Sequence, residues 1–94
     1  MPLPDDLDRW VAATFSSQDV EEARTLLAGA VDHEGVCVSD RLRRCAAVGS
    51  RGDIVALREL IGLLRVDWRD VIVAGEYEMQ GGELRRVRDL TQPM

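Results

Sequence analysis

Few residues in this chain have the types and spacing that chemistry requires. Asp32-His33-Glu34 sets an imidazole between two carboxylates, with the Cys37 thiol three residues beyond. Such groups serve general acid–base work, metal ligation or, where a thiol is activated, nucleophilic attack. Three adjacent side chains do not converge readily on one ion, and a single His leaves a metal site short of ligands. A nucleophilic Cys37 needs His33 within hydrogen-bond reach and a third group to orient it. Cys45 falls on an apolar helical stripe, where a thiol is a small inert hydrophobe. With no Cys-x-x-Cys pair, both cysteines are expected as free thiols of a reducing compartment. No G-x-S-x-G, H-E-x-x-H or G-x-x-x-x-G-K pattern occurs. The residues predict no catalytic set, no cofactor and no metal. A small-ligand or enzymatic site between helices near Asp32, His33 and Cys37 stands as the alternative to a noncatalytic role.

Two patterns bear on partners. Arg41, Arg43, Arg44 and Arg51 form the basic cluster, on a helix that turns sharply into another, the outline of a helix-turn-helix DNA reader. A reading helix must offer polar side chains to base edges, yet the second helix here carries Ile54, Val55, Ala56, Leu57, Leu60 and Ile61. The formal net charge of −5 also opposes binding to nucleic acid or an anionic membrane surface. The arginines are therefore expected on a solvated face, neutralised by the acidic N-terminal half. Residues 1–34 hold eight acidic side chains against Arg9 and Arg24, and residues 35–66 hold six arginines against Asp40, Asp53 and Glu59. The second pattern is Val73 on the polar side of the last helix, beside Arg69 and Glu76, with Tyr77 one turn on. Tyr and Arg anchor interfaces, which makes Arg69, Val73 and Tyr77 the candidate surface for a protein partner or a second copy. The competing reading folds the C-terminal segment back over Val73.

These residues depend on the elements that carry them. A chain of 94 residues with 46% hydrophobic and 31% charged side chains has the length and composition of one folded domain, residues 1–94, with 1–3 and 91–94 expected to be loose. No apolar run approaches the ~20 residues of a spanning helix. The acidic start, Met1 to Asp6, has no apolar h-region, and the expected location is cytoplasmic. Leu7, Trp10 and Val11 mark a first helix ending near Phe15. Ser16 as N-cap, Asp19 at N3 and a Phe15/Val20 staple predict the start of a second, whose stripe continues through Ala23, Leu27, Ala30 and Val31. Asp32 to Gly35 reads as a connection, Val36-Cys37-Val38 as a brief extended segment, and Ser39 as the cap of a third helix. That helix has Leu42, Cys45, Ala46 and Val48 inside and breaks at Gly49-Ser50-Arg51-Gly52. The broad stripe of Ile54, Leu57, Leu60, Ile61, Leu63 and Leu64 predicts a fourth helix, Asp53 to Arg65, at the centre of the core. Asp67 caps the fifth, with a Val66/Val71 staple and Trp68, Val71, Ile72 and Gly75 inward. Residues 76–90 admit two readings: a hairpin about Gly81-Gly82 with Glu78 facing Arg85, or a short helix through Leu84, Val87 and Thr91.

The stretch Asp67-Trp68-Arg69-Asp70-Val71-Ile72-Val73-Ala74-Gly75-Glu76-Tyr77 resembles the closing helix of small uncharacterised bacterial helical proteins that carry D-[WY]-R-D-V followed by A-x-E-Y. The resemblance spans residues 40–78, with Gly75 where Ala is usual, and implies a compact helical fold in a bacterial cytoplasm without implying an activity. The expected architecture is all-α, a compact bundle of four to five short helices, with the hairpin as a small C-terminal addition under the first reading. The expected role is a noncatalytic protein-interaction module or a homodimer.

Overall fold

A computed structural model describes residues 3–94. Among these, five helices run in order: α1 (Asp5–Thr14), α2 (Val20–Ala28), α3 (Asp40–Ser50), α4 (Ile54–Leu64) and α5 (Trp68–Glu76). An antiparallel hairpin of β1 (Tyr77–Gln80) and β2 (Glu83–Arg86) follows. The fold is thus the expected compact all-α bundle with a C-terminal hairpin, and the helical reading of residues 76–90 does not occur.

Local chemistry explains most boundaries. The Ser39 hydroxyl accepts the Leu42 N–H at 3.3 Å, and the Asp67 carboxylate accepts the Arg69 N–H at 3.1 Å, as their cap positions predict. Asp53 does the same for α4, accepting from Val55 and Ala56. Asp32 closes the connection after α2 by accepting the Glu34 and Val36 N–H groups, and Val31 bridges to Cys37 across it. At Gly81-Gly82 both residues take positive φ, 59° and 82°, which a two-residue hairpin turn demands. The resulting register pairs Glu78 with Arg85 and Met79 with Leu84.

Three local expectations fail for identifiable reasons. Ser16 does not start α2: its hydroxyl donates to the Asp19 carboxylate at 2.9 Å, so cap and acceptor satisfy each other in a turn and the helix begins at Val20. The Val66/Val71 staple does not form. The Asp67 N–H donates back to the Leu63 carbonyl at 2.7 Å, and this tight exit from α4 leaves Val66 82% exposed while Val71 is fully buried. The same turn brings Trp68 out to 46% exposure rather than inward.

The centre of the core is also not where the broadest stripe lies. In α4 only Leu57 and Leu64 are fully enclosed, with Leu60, Ile61 and Leu63 half-buried along its flanks. In α3 every residue from Arg43 to Ala47 is buried, because this helix is packed against α2, α4 and α5. The α3–α5 contact is the closest. A β-carbon added at Gly75 would lie 2.5 Å from the Cys45 Cα and 2.7 Å from its carbonyl oxygen, and one at Gly49 would lie 3.0 Å from the Ala74 Cβ. Small residues on both helices let the two backbones nearly touch. The remaining core comprises Leu7 and Val11 of α1, Ala23 and Leu27 of α2, Val71 of α5, and Phe15, Ala30, Val38 and Leu90 from the connections. No helix among the described residues is long and apolar enough to cross a membrane.

The α3–α5 approach carries a prediction. In an open helix Gly→Ala gains about 1 kcal/mol of propensity. At position 75 the added methyl strikes backbone, which cannot give way, so Gly75→Ala is expected to lose about 1–3 kcal/mol in a urea melt. Stability at or above the parent chain would contradict the packing.

Candidate functional site

Beneath the hairpin sits a carboxylate that no solvent reaches. Glu76, the last residue of α5, is 0% exposed. The Arg41 guanidinium grips it in a fork, Nε to Oε2 at 2.9 Å and Nη2 to Oε1 at 2.8 Å. Arg86 of β2 donates to Oε1 at 3.1 Å, and the Leu90 backbone N–H donates to Oε2 at 3.2 Å. The Glu76 carbonyl oxygen in turn accepts the Val87 N–H at 2.8 Å. One residue thereby joins α3, α5, β2 and the chain beyond the hairpin. The Arg41 hydrogen bonds hold the carboxyl below its ordinary range against the opposing pull of burial. Burial pushes the neighbouring Cys45 thiol up to about 12, with the Glu76 charge adding to the effect. A thiol so far from ionisation is no nucleophile.

Three of the four arginines in the basic cluster are structural. Arg43 and Arg44 are not on a solvated face but are 2% and 7% exposed. Arg44 pairs with Asp6 of α1, its Nε 2.9 Å from Oδ2, and this bond lowers the Asp6 pKa to about 2. Arg43 donates from Nε to the Leu27 carbonyl at 2.9 Å, placing a cation against the C-terminal end of α2. Its Nη1 reaches Asp40 at 3.1 Å. Each of three arginines in the first half of α3 thus fastens it to a different element. Of these arginines only Arg44 is neutralised by the acidic N-terminal half, through Asp6; Arg41 pairs with Glu76 and Arg43 with Asp40.

Above the Glu76 anchorage lies an open groove of about 730 Å³ between the end of α3, α5 and the hairpin. Val73, Tyr77, Met79 and Leu84 supply its apolar surface, and Arg51, Glu78 and Gln80 line it as well. Val73 is 37% exposed, Met79 66% and Leu84 52%. Of the three residues anticipated for an interface, Val73 and Tyr77 meet here. Arg69 does not. It lines a separate hollow of about 530 Å³ with His33, Val66 and Trp68. The hairpin does not fold back over Val73 but extends the surface Val73 begins. Met79 and Leu84 were not among the residues anticipated for an interface, because only the register reveals that they face each other on one side of the hairpin.

The Asp32, His33 and Cys37 set is only partly gathered. Asp32 and Cys37 share a hollow of about 300 Å³ with Leu42 and Trp68, while His33 lies in the adjoining one, with Trp68 lining both. The Asp32 carboxylate is committed to two backbone N–H groups, which lower its pKa. His33 is exposed, with Nε2 3.4 Å from Glu34. Comparison with protein-family models, curated proteins and solved structures gave no match.

The buried carboxylate generates a prediction. Because the folded-state pKa of Glu76 is depressed, its stabilisation is complete above the ordinary carboxyl value of 4.5 and is lost as pH falls through the lower folded value. Glu76→Gln at neutral pH leaves Arg41 without its anion and Arg86 with Asp89 alone, and is expected to lose about 3–5 kcal/mol in denaturant melts. The difference from the parent chain should narrow below about pH 4. A pH-independent difference would mean that the charge does not carry the effect.

Proposed function

We propose that this chain is a noncatalytic protein-interaction module of the bacterial cytoplasm, and that its binding face is the groove formed by Val73, Tyr77, Met79 and Leu84. One observation carries the reading: the apolar side chains of the hairpin lie outside the core they adjoin. An isolated two-stranded hairpin is marginal in water. This one is held by Arg86 and the Val87 N–H on Glu76, while Met79 and Leu84 point to solvent. Apolar side chains presented on a fastened scaffold, with a tyrosine, a methionine and an arginine among the lining residues, include the types enriched at interfaces. The free thiols and the likeness of residues 67–77 to small bacterial helical proteins support the compartment.

A small-ligand role near Asp32 and Cys37 has one observation in its favour, the hollow these residues share with Trp68. Its volume of about 300 Å³ lies at the lower bound of ligand pockets, and one oxygen of its single carboxylate, Oδ1, already accepts two backbone N–H groups.

Affinity capture from the source cells tests the interaction role. Proteins retained by the parent chain should be lost with Met79→Glu and with Val73→Glu, each checked for a native circular dichroism spectrum. The expected loss is roughly 30-fold in affinity, the ~2 kcal/mol of a hot-spot residue. Identical retained sets for parent and variants would overturn the assignment of the face.

A further inference from the structure

Resting on that reading of the face, we propose that its partner is a second copy of this chain, docked edge to edge along β2. All four residues of β2 are exposed. Backbone parity shows what that edge offers. The Val87 N–H donates to the Glu76 carbonyl, which makes 76:87 a hydrogen-bonded pair. In an antiparallel ladder such pairs alternate, so 78:85 and 80:83 are bonded and 77:86 and 79:84 are not. The N–H and C=O groups of Leu84 and Arg86 therefore point away from β1, where no described residue meets them.

Side-chain order then selects one register. Two β2 strands related by a two-fold axis normal to the sheet must pair some residue with itself. An axis at Glu83, Arg85 or Arg86 sets like charges face to face, which opposes pairing. An axis at Leu84 alone does not. In that register the Leu84 N–H and C=O groups of the two copies bond reciprocally, and Glu83 of each copy lies opposite Arg85 of the other, twice. Glu83 and Arg85 now bond each other within one strand, at 2.9 Å and in the open, so the exchange keeps a charged partner for each. Met79 and Leu84, a cross-strand pair, would join their counterparts in one apolar row across four strands. Short charged edges discourage pairing with arbitrary strands. The order Glu83-Leu84-Arg85-Arg86 favours a strand of the same order. A four-residue edge is small beside the surface of a standard interface, so the dimer is weak and concentration-dependent.

Sedimentation equilibrium of the full chain, over about 10 μM to 1 mM, is the test. The parent chain should pass from the mass of one chain toward that of two. Leu84→Pro removes an outward-pointing donor and the leucine side chain of the apolar row, leaves the β1–β2 bonds in place, and should hold the chain at the mass of one with unchanged circular dichroism. Glu83→Arg and Arg85→Glu should each stay at the mass of one, since each brings like charges together across the axis. Mixed in equal amounts, these two variants restore opposite charges and should regain the mass of two. A parent chain of one-chain mass throughout, a Leu84→Pro chain that dimerises like the parent, or folded charge variants that do not recombine would each overturn the self-pairing. If the chain stays single but still retains other proteins in a Met79-dependent way, self-pairing fails and the face stands. If it does neither, both fail.

Discussion

A carboxylate without solvent is costly unless donors replace the water it has lost, and the Glu76 side chain is placed under that constraint by its own helix. Gly75 lets α5 approach Cys45 closely, and the next residue, Glu76, ends wholly enclosed. The donors come from three directions: Arg41 from α3, Arg86 from β2 and the Leu90 N–H from beyond the hairpin. Withdrawing any of these segments leaves a buried charge short of partners. The hairpin is therefore fastened less by its own four-residue ladder than by the need to neutralise one carboxylate. Arg88 adds to this by donating to the Gly75 carbonyl at 2.6 Å, meeting an acceptor freed at the end of α5.

The same logic runs along α3. Arg41, Arg43 and Arg44 reach α5, α2 and α1 respectively, and Arg44 also approaches the Leu90 carbonyl at 3.5 Å. The guanidinium suits this position because its planar fork can hold two oxygens at once, as at Glu76 and Asp6. Such pairs bring modest net stability, since desolvation offsets much of their attraction. What they supply is orientation: each ties α3 to a neighbour in a particular angular setting, although the Arg43 Nη2 is buried without a partner among the described residues. Because α3 is centred among its neighbours, those settings together position the groove between α3, α5 and the hairpin. Much of the chain's uneven charge is thus paired within the fold, and the groove is lined by Arg51, Glu78 and Gln80 as well as by its apolar side chains.

Much of this fold was legible in the sequence where local chemistry decides. Ser39 and Asp67 cap because their oxygens meet N–H groups two or three residues on, and Gly81-Gly82 turns because both residues take positive φ. Contacts distant along the chain stayed hidden. Ser16 had the spacing of a cap, but its hydroxyl found Asp19 first. The width of the α4 stripe suggested a central helix, whereas the small residues of α3, Cys45, Ala46 and Ala47, mark the centre because close approach needs little side-chain volume. Of the candidate site, Val73 and Tyr77 were visible as apolar and aromatic residues on a polar helix face. Arg69 on the same helix proved to face the Trp68 side, and Met79 and Leu84 required the register. Glu76 did leave one signal. An acidic residue in the last turn of a helix opposes the dipole there, and three arginines follow at 85, 86 and 88. A residue placed against its local preference is a sign that a distant partner holds it.

The central claim is that the Glu76 carboxylate makes the hairpin and the helical core one cooperative unit, and the Leu90 amide proton reports on it directly, since it donates to that carboxylate. Local openings range from near zero free energy up to that of global unfolding. Native-state hydrogen exchange, followed residue by residue, should show the Leu90 and Val87 amides protected to the same opening free energy as those of Cys45 and Ala46 in the centre of α3. Rapid exchange at Leu90 and Val87, with α3 still fully protected, would mean that the hairpin frays independently and that Glu76 does not hold the fold together.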